Sequence, residues 1–345
     1  MDQHLLKPGP LLDDKGNLAE AGYAFDLVKQ YSRDQIKAPK WRIKEWDYYY
    51  IGNKERGLAL TVADNGYHAL MSITVLDFQK KKEMSKSILT WFTLGKLGLP
   101  STSKEGDIIV EDKKKIYRFE FLHLEDGRRR LTVNCKDFGP NKEYFHCDLM
   151  LEATVDGSMV IATPFNKKAH FYYNQKINCL KSSGYAKVGD ELFDFTKDSY
   201  GVLDWGRGVW TYKNTWYWSS LNCIQDGHVL GFNLGYGFGD TSAASENMFF
   251  YDGKAYKLED VRMDIPIGNM GRDDFMEPWT FRSKNGDIRL VFTPVYDRHS
   301  DTNALVIRSN QHQVFGTFSG VIKVGEREFE LRECPGFAEK VYNRW

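Results

Sequence analysis

The sequence predicts a mainly β protein, with two antiparallel β-barrels or sandwiches in tandem and one short N-terminal helix. Six Asn-Gly or Asp-Gly pairs separate strand-like runs, and such pairs supply the positive φ angles that tight hairpins require. Aromatic residues make up 14% of the chain, and helical periodicity is nearly confined to one segment. A chain of 345 residues also exceeds the usual size of a single core.

The elements are predicted in this order along the chain. Residues 1–34 form a helical extension, because LAEAGYAFDLVKQYS follows a plausible cap at Asn17 with helical spacing. The first barrel covers residues 35–165 and the second covers residues 166–345. The division falls near ATPFNKK, where a proline and polar residues interrupt the strand pattern. The turn pairs are Asn65-Gly66, Asp126-Gly127, Asp156-Gly157, Asp226-Gly227, Asp252-Gly253 and Asn285-Gly286.

A weak similarity between two segments of the sequence indicates an internal duplication. EWDYYYIGNKERGLALTVAD and TWYWSSLNCIQDGHVLGFNLGYGFGD each run from an aromatic strand through a turn to an apolar strand and an aspartate. The spacing within the two segments differs, so chance alternation in a β protein is the other interpretation.

The overall charge excludes several kinds of partner. Lys plus Arg and Asp plus Glu both number 47, so no net field favours nucleic acid or an anionic membrane. No segment resembles an export signal or a membrane span, and the five scattered cysteines fit reduced thiols. We therefore expect a cytoplasmic protein with no metal, no cofactor, no nucleic-acid partner and a small-molecule ligand. The sequence does not predict the oligomeric state.

An aromatic stretch, residues 204–220, raises the question of a ligand site. It holds Trp205, Trp210, Trp216 and Trp218, and the following strand GFNLGYGFG leaves one face nearly bare of side chains. Glycine inside a strand marks a place where something bulky approaches the backbone. Either the protein's own tryptophan rings or a ligand held between rings and bare backbone fills that space.

Carboxylates near these rings are candidates for acid/base chemistry. Asp204, Asp240 and Glu246 lie beside glycines or aromatics, where partial desolvation raises the pKa of a carboxyl group. Residues 239–247 would form a loop at a barrel mouth, or a turn in which Asp240 bonds backbone amides.

A polar strand face gives further candidates. His170, Asn174 and Lys176 alternate along HFYYNQKINC, and we expect His170 to be a proton shuttle if that face lines a cavity and to have no role if it faces water. The predicted substrate-binding residues are Arg207, Trp205, Trp210, Trp216, Trp218, Asn174, Lys176, Asn233 and Tyr236.

Several strings resemble a known bacterial family. They are APKWRIKEWDYYYI, HFYYNQKINCL, LDWGRGVWTYKNTWYW, GFGDTSAASENMFFYDGK and GFAEKVYNRW, and they resemble domain of unknown function 2804 from end to end. That family looks distantly like two-barrel lipocalin-type proteins, including carotenoid hydratases, whose ligands lie near the junction of the barrels. The resemblance implies two lipocalin-like barrels. No histidine follows Asp204 directly, which departs from the hydratase pattern.

These observations lead to three hypotheses about function. The first is a metal-independent glycosidase that uses carboxylates in an aromatic-lined cleft between the barrels, since rings stack on sugars and carboxylate pairs cleave glycosidic bonds. The second is a hydratase or isomerase of an unsaturated lipid or terpenoid. The third is a non-catalytic carrier of a small ligand.

Overall fold

The computed structural model describes residues 3–304 and 307–344, apart from the side chains of residues 304 and 307. Its regular structure is β-strand with two short 3-10 turns, Arg33–Gln35 and Lys40–Arg42, and the described residues contain no α-helix. None of their helices is therefore a candidate to cross a membrane. In chain order the strands are β1 (Gly9–Pro10), β2 (Gly22–Ala24), β3 (Lys29–Gln30), β4 (Ile43–Gly52), β5 (Arg56–Asp64), β6 (His68–Asp77), β7 (Lys82–Trp91), β8 (Ile108–Glu111), β9 (Tyr117–His123), β10 (Arg129–Phe138), β11 (Glu143–Ala153), β12 (Met159–Pro164), β13 (Phe171–Val188), β14 (Glu191–Asp194), β15 (Tyr200–Val209), β16 (Lys213–Gln225), β17 (His228–Tyr236), β18 (Met248–Tyr251), β19 (Lys254–Lys257), β20 (Val261–Asp264), β21 (Trp279–Ser283), β22 (Ile288–Ala304), β23 (Ile307–Val324) and β24 (Arg327–Arg344).

Two large antiparallel sheets contain nearly all of these strands. The first runs β7-β6-β5-β4-β15-β13-β11-β10-β9-β8, with β2, β12 and β14 attached at its side. The second runs β19-β18-β17-β16-β24-β23-β22-β21-β20. In the first sheet β15 returns to pair with β4, and in the second β24 returns to pair with β16. This pairing curls each sheet and leaves it open between its outermost strands, which are β7 and β8 in the first sheet and β19 and β20 in the second. This is the tandem lipocalin-like arrangement.

The two sheets have the same strand order, which agrees with the duplication that two similar sequence segments indicated. Those segments are the β4–β5 and β16–β17 hairpins, which occupy equivalent positions next to β15 and β24. The sheets, however, change at residues 210–212, because β13 and β15 both belong to the first sheet. A domain division at residues 165/166 therefore remains a prediction that does not coincide with the change of sheet.

The turn pairs shape the hairpins as expected. Five of the six predicted pairs connect strands that are direct neighbours. Asp226 and Gly227, for example, have φ of 54° and 83° between paired strands β16 and β17. The pair Asp156-Gly157 differs, because the strands on either side of it both pair with β13 and not with each other.

The N-terminal helix prediction is wrong. The segment instead forms the short strands β2 and β3, and β2 adds to the edge of β12. Backbone groups that a helix would have paired internally find tertiary partners, since the Tyr173 hydroxyl bonds both the N–H and the C=O of Lys29. Leu18, Leu27 and Val28 pack against the first core, so tertiary contacts override the helical spacing.

Alternating strand residues divide between two environments. Tyr49, Leu60 and Trp205 are buried in the core of the first sheet, and Phe232, Phe292 and Phe318 are buried in that of the second. Their neighbours on the opposite faces meet between the sheets, where a smaller apolar cluster joins Tyr50, Ala59 and Val202 to Trp218, Phe315 and Phe337. The seam between the outer faces of the two sheets is therefore a third layer of packing.

Candidate functional site

A cavity of about 340 Å³ lies in this seam. The first sheet supplies one wall and the second sheet supplies the other. Its volume is at the small end of the range of roughly 300–1,000 Å³ that ligand pockets occupy. Ser87 and Ser300 line it and are exposed, so the cavity opens to solvent at that end.

One row of side chains crosses the first wall. Lys176, Asp204 and Tyr48 are direct cross-strand partners on β13, β15 and β4. Because directly opposite residues in an antiparallel sheet point to the same face, all three reach the cavity. The row continues across β5, β6 and β7 with Thr61, Ser72 and Ser87.

A second row crosses the opposite wall. Trp218, Glu339, Gln313 and Arg298 are successive cross-strand partners on β16, β24, β23 and β22. At the end of the row Gly235 pairs with Trp218, and the Glu246 carboxyl group lies where a Cβ at Gly235 would stand, 2.6 Å from it.

The two rows make direct contact across the seam. Lys176 Nζ lies 2.7 Å from Asp204 Oδ1 and 4.0 Å from the centre of the Trp218 ring. Gln313 Nε2 donates to the Tyr48 hydroxyl at 3.1 Å. A buried cation is thus held by a carboxylate of one sheet and an aromatic face of the other.

Two carboxyl groups on the second wall are poised to carry protons. Burial raises the pKa of Glu339 to about 7, although Trp216 Nε1 donates to its Oε1 at 2.9 Å. Burial also raises the pKa of Glu246, and Asp204 contributes to the rise at both. Lys176 opposes the rise at both groups, Arg298 at Glu339 and Lys257 at Glu246, but burial outweighs them. The site therefore favours a proton on Glu339 near neutral pH.

Aromatic rings enclose the acidic end of the cavity. Trp46 and Trp210 meet edge to face with ring centres 5.2 Å apart, and Phe238 lies 4.9 Å from Trp210 and 5.2 Å from Trp216. Gly206 makes the approach of Trp46 possible, because a Cβ there would lie 1.9 Å from the indole ring.

The structure brings several of the predicted residues together. The cavity is lined by Asp204, Glu246, Lys176, Trp210, Trp216 and Trp218. Their assignment as catalytic or substrate-binding stays a prediction, but all six line the same cavity.

Other predicted residues lie behind the walls. Arg207 is fully buried in the first barrel, bonds Asp47 at 3.1 Å and the Pro100 carbonyl at 2.7 Å, and lies over the Trp205 ring. Asn174 donates to Asp204 Oδ1 at 2.6 Å and so supports it from the side. These residues hold the wall in place and do not line the cavity.

The second barrel contributes similar supporting residues. Asn233 accepts a hydrogen bond from Trp218 Nε1 at 2.7 Å and donates to the Glu246 carbonyl at 2.7 Å. Tyr236 stacks on Tyr217 with ring centres 4.6 Å apart, outside the lining of the cavity. The nominally bare face of β17 is covered by other protein groups, since a Cβ would lie 2.6 Å from Cys179 Sγ at Gly231 and 2.6 Å from the Glu246 carboxyl group at Gly235.

Two predicted catalytic residues lie elsewhere. Asp240 is exposed and accepts a hydrogen bond from the Ser242 backbone N–H at 3.0 Å, which lowers the pKa of its carboxyl group. His170 bonds the Lys168 carbonyl through Nδ1 at 2.8 Å, and burial lowers its pKa. Neither residue lines the cavity, so the geometry gives them no access to a ligand there.

Sequence reasoning missed the most informative residues. Glu339, Gln313 and Arg298 come from long strands near the end of the chain, more than a hundred residues from Lys176. Only the pairing of β24 with β16 shows that Glu339 faces Trp218. Alternation in GFAEKVYNRW gives a weak signal, because an acid stands among apolar positions. Among the described residues, no group of three or more His, Cys, Asp or Glu side chains is arranged to hold a metal ion.

Comparison with known proteins identifies the family. The sequence matches the family described as domain of unknown function (DUF2804) over residues 2–345. The chain belongs to this family. A search of curated proteins finds no match.

Two solved structures are similar to this DUF2804 chain. A Nitrosomonas europaea protein with the provisional name AttH is 14% identical, with a TM-score of 0.52 over 90% of this chain and 95% of that one. Kievitone hydratase from Nectria haematococca is 9% identical, with a TM-score of 0.45 over 97% of this chain and 98% of that one. At such identity the AttH likeness shows the fold alone.

Proposed function

We propose that the protein is an acid/base enzyme that protonates a carbon–carbon double bond of a compact unsaturated ligand, and so hydrates or isomerises it. The observation that carries the proposal is Glu339, a fully buried carboxyl group on the cavity wall with a pKa raised to about 7. A general acid works best when its pKa is near the operating pH.

The facing wall supplies the complementary base. Both polar contacts of Asp204, from Lys176 and Asn174, go to Oδ1. Among the described residues nothing hydrogen-bonds Oδ2, which leaves that oxygen for a water molecule in the cavity. Lys176 provides the compensating positive charge.

The proposed reaction balances in atoms and protons. Glu339 gives its proton to one alkene carbon, and the π electrons form the new C–H bond. Water attacks the resulting cation and gives up a proton to Asp204. Proton exchange with solvent then returns Asp204 and Glu339 to their starting states, so the net change is addition of one water molecule. In isomerisation, Asp204 instead takes a proton from a neighbouring carbon. Aromatic faces around the acid stabilise the cationic intermediate.

Glycoside cleavage is the second candidate. Three carboxyl groups beside tryptophan rings favour it. Three of the predicted sugar anchors, Arg207, Asn174 and Asn233, lie behind the walls. Lys176, which does line this end, is already paired with Asp204. The enclosed aromatic surroundings of Glu339 therefore fit a double bond better than a ring of hydroxyl groups.

The test is turnover in deuterated water. Compact alkenes, including short prenyl alcohols and cinnamyl compounds, are incubated with the protein beside a set of aryl glycosides, and products are analysed by mass spectrometry. Hydration adds one water and one carbon-bound deuterium. The proposal is wrong if the alkenes emerge unchanged while glycosides are cleaved, or if every ligand is bound and returned intact, as by a carrier.

Variants assign the roles. Glu339→Gln and Asp204→Asn should each reduce kcat by about 100-fold or more, the usual contribution of a general acid or base. Asp240→Asn is the matched control, since the same chemical change falls on an exposed carboxylate outside the cavity. Full activity in Glu339→Gln would remove the acid from the proposed mechanism.

A further inference from the structure

The cavity is chemically different at its two ends. Along the first row the side chains change from Lys176 and Asp204 to Thr61, Ser72 and Ser87. Aromatic rings and acids lie at the β13, β15 and β16 end, while hydroxyl groups lie towards the open edge at β7.

The second wall changes in the same direction. Its row passes from Trp218 through Glu339 and Gln313 to Arg298, and the neighbouring positions Gln311 and Ser300 add an amide and a hydroxyl group. The polar ends of the two rows therefore coincide at the entrance.

Arg298 is a cation with unused hydrogen-bonding capacity. Its Nη1 donates to Gln313 Oε1 at a long 3.3 Å, and its Nε lies 3.7 Å from Glu83 Oε2, beyond hydrogen-bond distance. Burial raises the pKa of Glu83, and the positive charge of Arg298 opposes that rise. The other cation of the cavity has a closer counter-ion, because Lys176 Nζ lies 2.7 Å from Asp204 Oδ1.

We propose that the substrate is a compact amphipathic acid, with its double bond among the tryptophans and its carboxylate at Arg298. A planar guanidinium matches a carboxylate in a two-point contact, and the serine hydroxyl groups at the entrance solvate it. The cavity volume of about 340 Å³ limits the guest to a short chain or a single ring system. This inference rests on the proposed function for the chemistry at the other end.

Binding measurements test it separately from turnover. Isothermal titration calorimetry compares cinnamate, cinnamyl alcohol and propenylbenzene, which share a ring and a double bond and differ at one end, together with a series of short unsaturated fatty acids. We expect the acids to bind tightest. Arg298→Gln should weaken acid binding by about 10- to 100-fold, the effect of losing one charge-assisted contact, and leave the hydrocarbon unchanged. Arg298→Lys should restore part of the loss.

The matched control is Arg289→Gln. Arg289 is on the same strand, exposed and outside the cavity, and its nearest carboxylate is Glu328 at 3.8 Å. The proposal is overturned if no acid binds at millimolar concentration, if the alcohol binds tighter than the acid, or if Arg298→Gln weakens all three cinnamyl probes alike. Acid binding that depends on Arg298 without any turnover would support this inference and contradict the proposed reaction.

Discussion

The raised pKa of Glu339 has a measurable effect on stability. In the unfolded chain this carboxyl group titrates near its ordinary value of 4.5, and in the folded protein it titrates at about 7. Between these values the folded state holds a proton that the unfolded state has lost, so the free energy of unfolding falls as pH rises. At roughly 1.4 kcal/mol for each pH unit the loss totals about 3 kcal/mol, complete somewhat above pH 7.

Glu339→Gln removes this titration and keeps an oxygen that can accept from Trp216 Nε1. The variant should therefore gain stability relative to wild type as pH rises. The difference in the free energy of unfolding, variant minus wild type, should increase by about 3 kcal/mol between about pH 4 and pH 8. Urea denaturation at several pH values, followed by tryptophan fluorescence and circular dichroism together, measures both curves and tests two-state behaviour.

The control is Glu328→Gln, which changes an exposed glutamate on the same strand β24. Its pH dependence should follow that of the wild type. Parallel curves for wild type and Glu339→Gln would refute the argument, because they would show that Glu339 titrates alike in the folded and unfolded states.

Two further substitutions test how the walls are held. Lys176→Met leaves Asp204 buried without its cation and should lower the free energy of unfolding by about 3–5 kcal/mol, and adding Asp204→Asn should recover part of this in urea denaturation. Gly206→Ala forces Trp46 to move and should cost about 1–3 kcal/mol and weaken ligand binding in calorimetry, whereas Gly268→Ala, with its nearest atom 3.4 Å away, should do neither. An unchanged melting temperature and affinity in Gly206→Ala would show that Trp46 is not fixed by this contact.

Local chemistry explains why much of the fold could be predicted. Asp226-Gly227 and Asp252-Gly253 require left-handed backbone angles and have them, so each hairpin is encoded within a few residues. The N-terminal segment shows the opposite case. Its pattern predicted a helix, but Leu18, Leu27 and Val28 pack against the first core, and no local signal reveals those contacts.

The candidate site was only partly predictable for the same reason. Asp204 and Lys176 lie in recognisable polar or aromatic strings, whereas Trp205, which the sequence also assigned to substrate binding, is buried in the first core. The local signal for Glu339 is weak, because its proximity to these residues depends on the pairing of two long strands and on the docking of one sheet against the other. Asp240, like Asp204, has glycine or aromatic neighbours in the sequence, but it lies at a turn and is exposed to solvent.

Because the cavity lies in the seam, the residues that would select a ligand differ from the residues that form the two cores. Small lipocalins hold a ligand in the barrel lumen, where each wall residue also belongs to the core. Here apolar clusters occupy both lumens, with the Arg207–Asp47 pair buried in the first, and the seam faces belong to the opposite side of each strand. Wall residues can therefore diverge during evolution with little damage to either core. Each sheet supplies only one wall of the cavity, so any activity there would require the two sheets to dock.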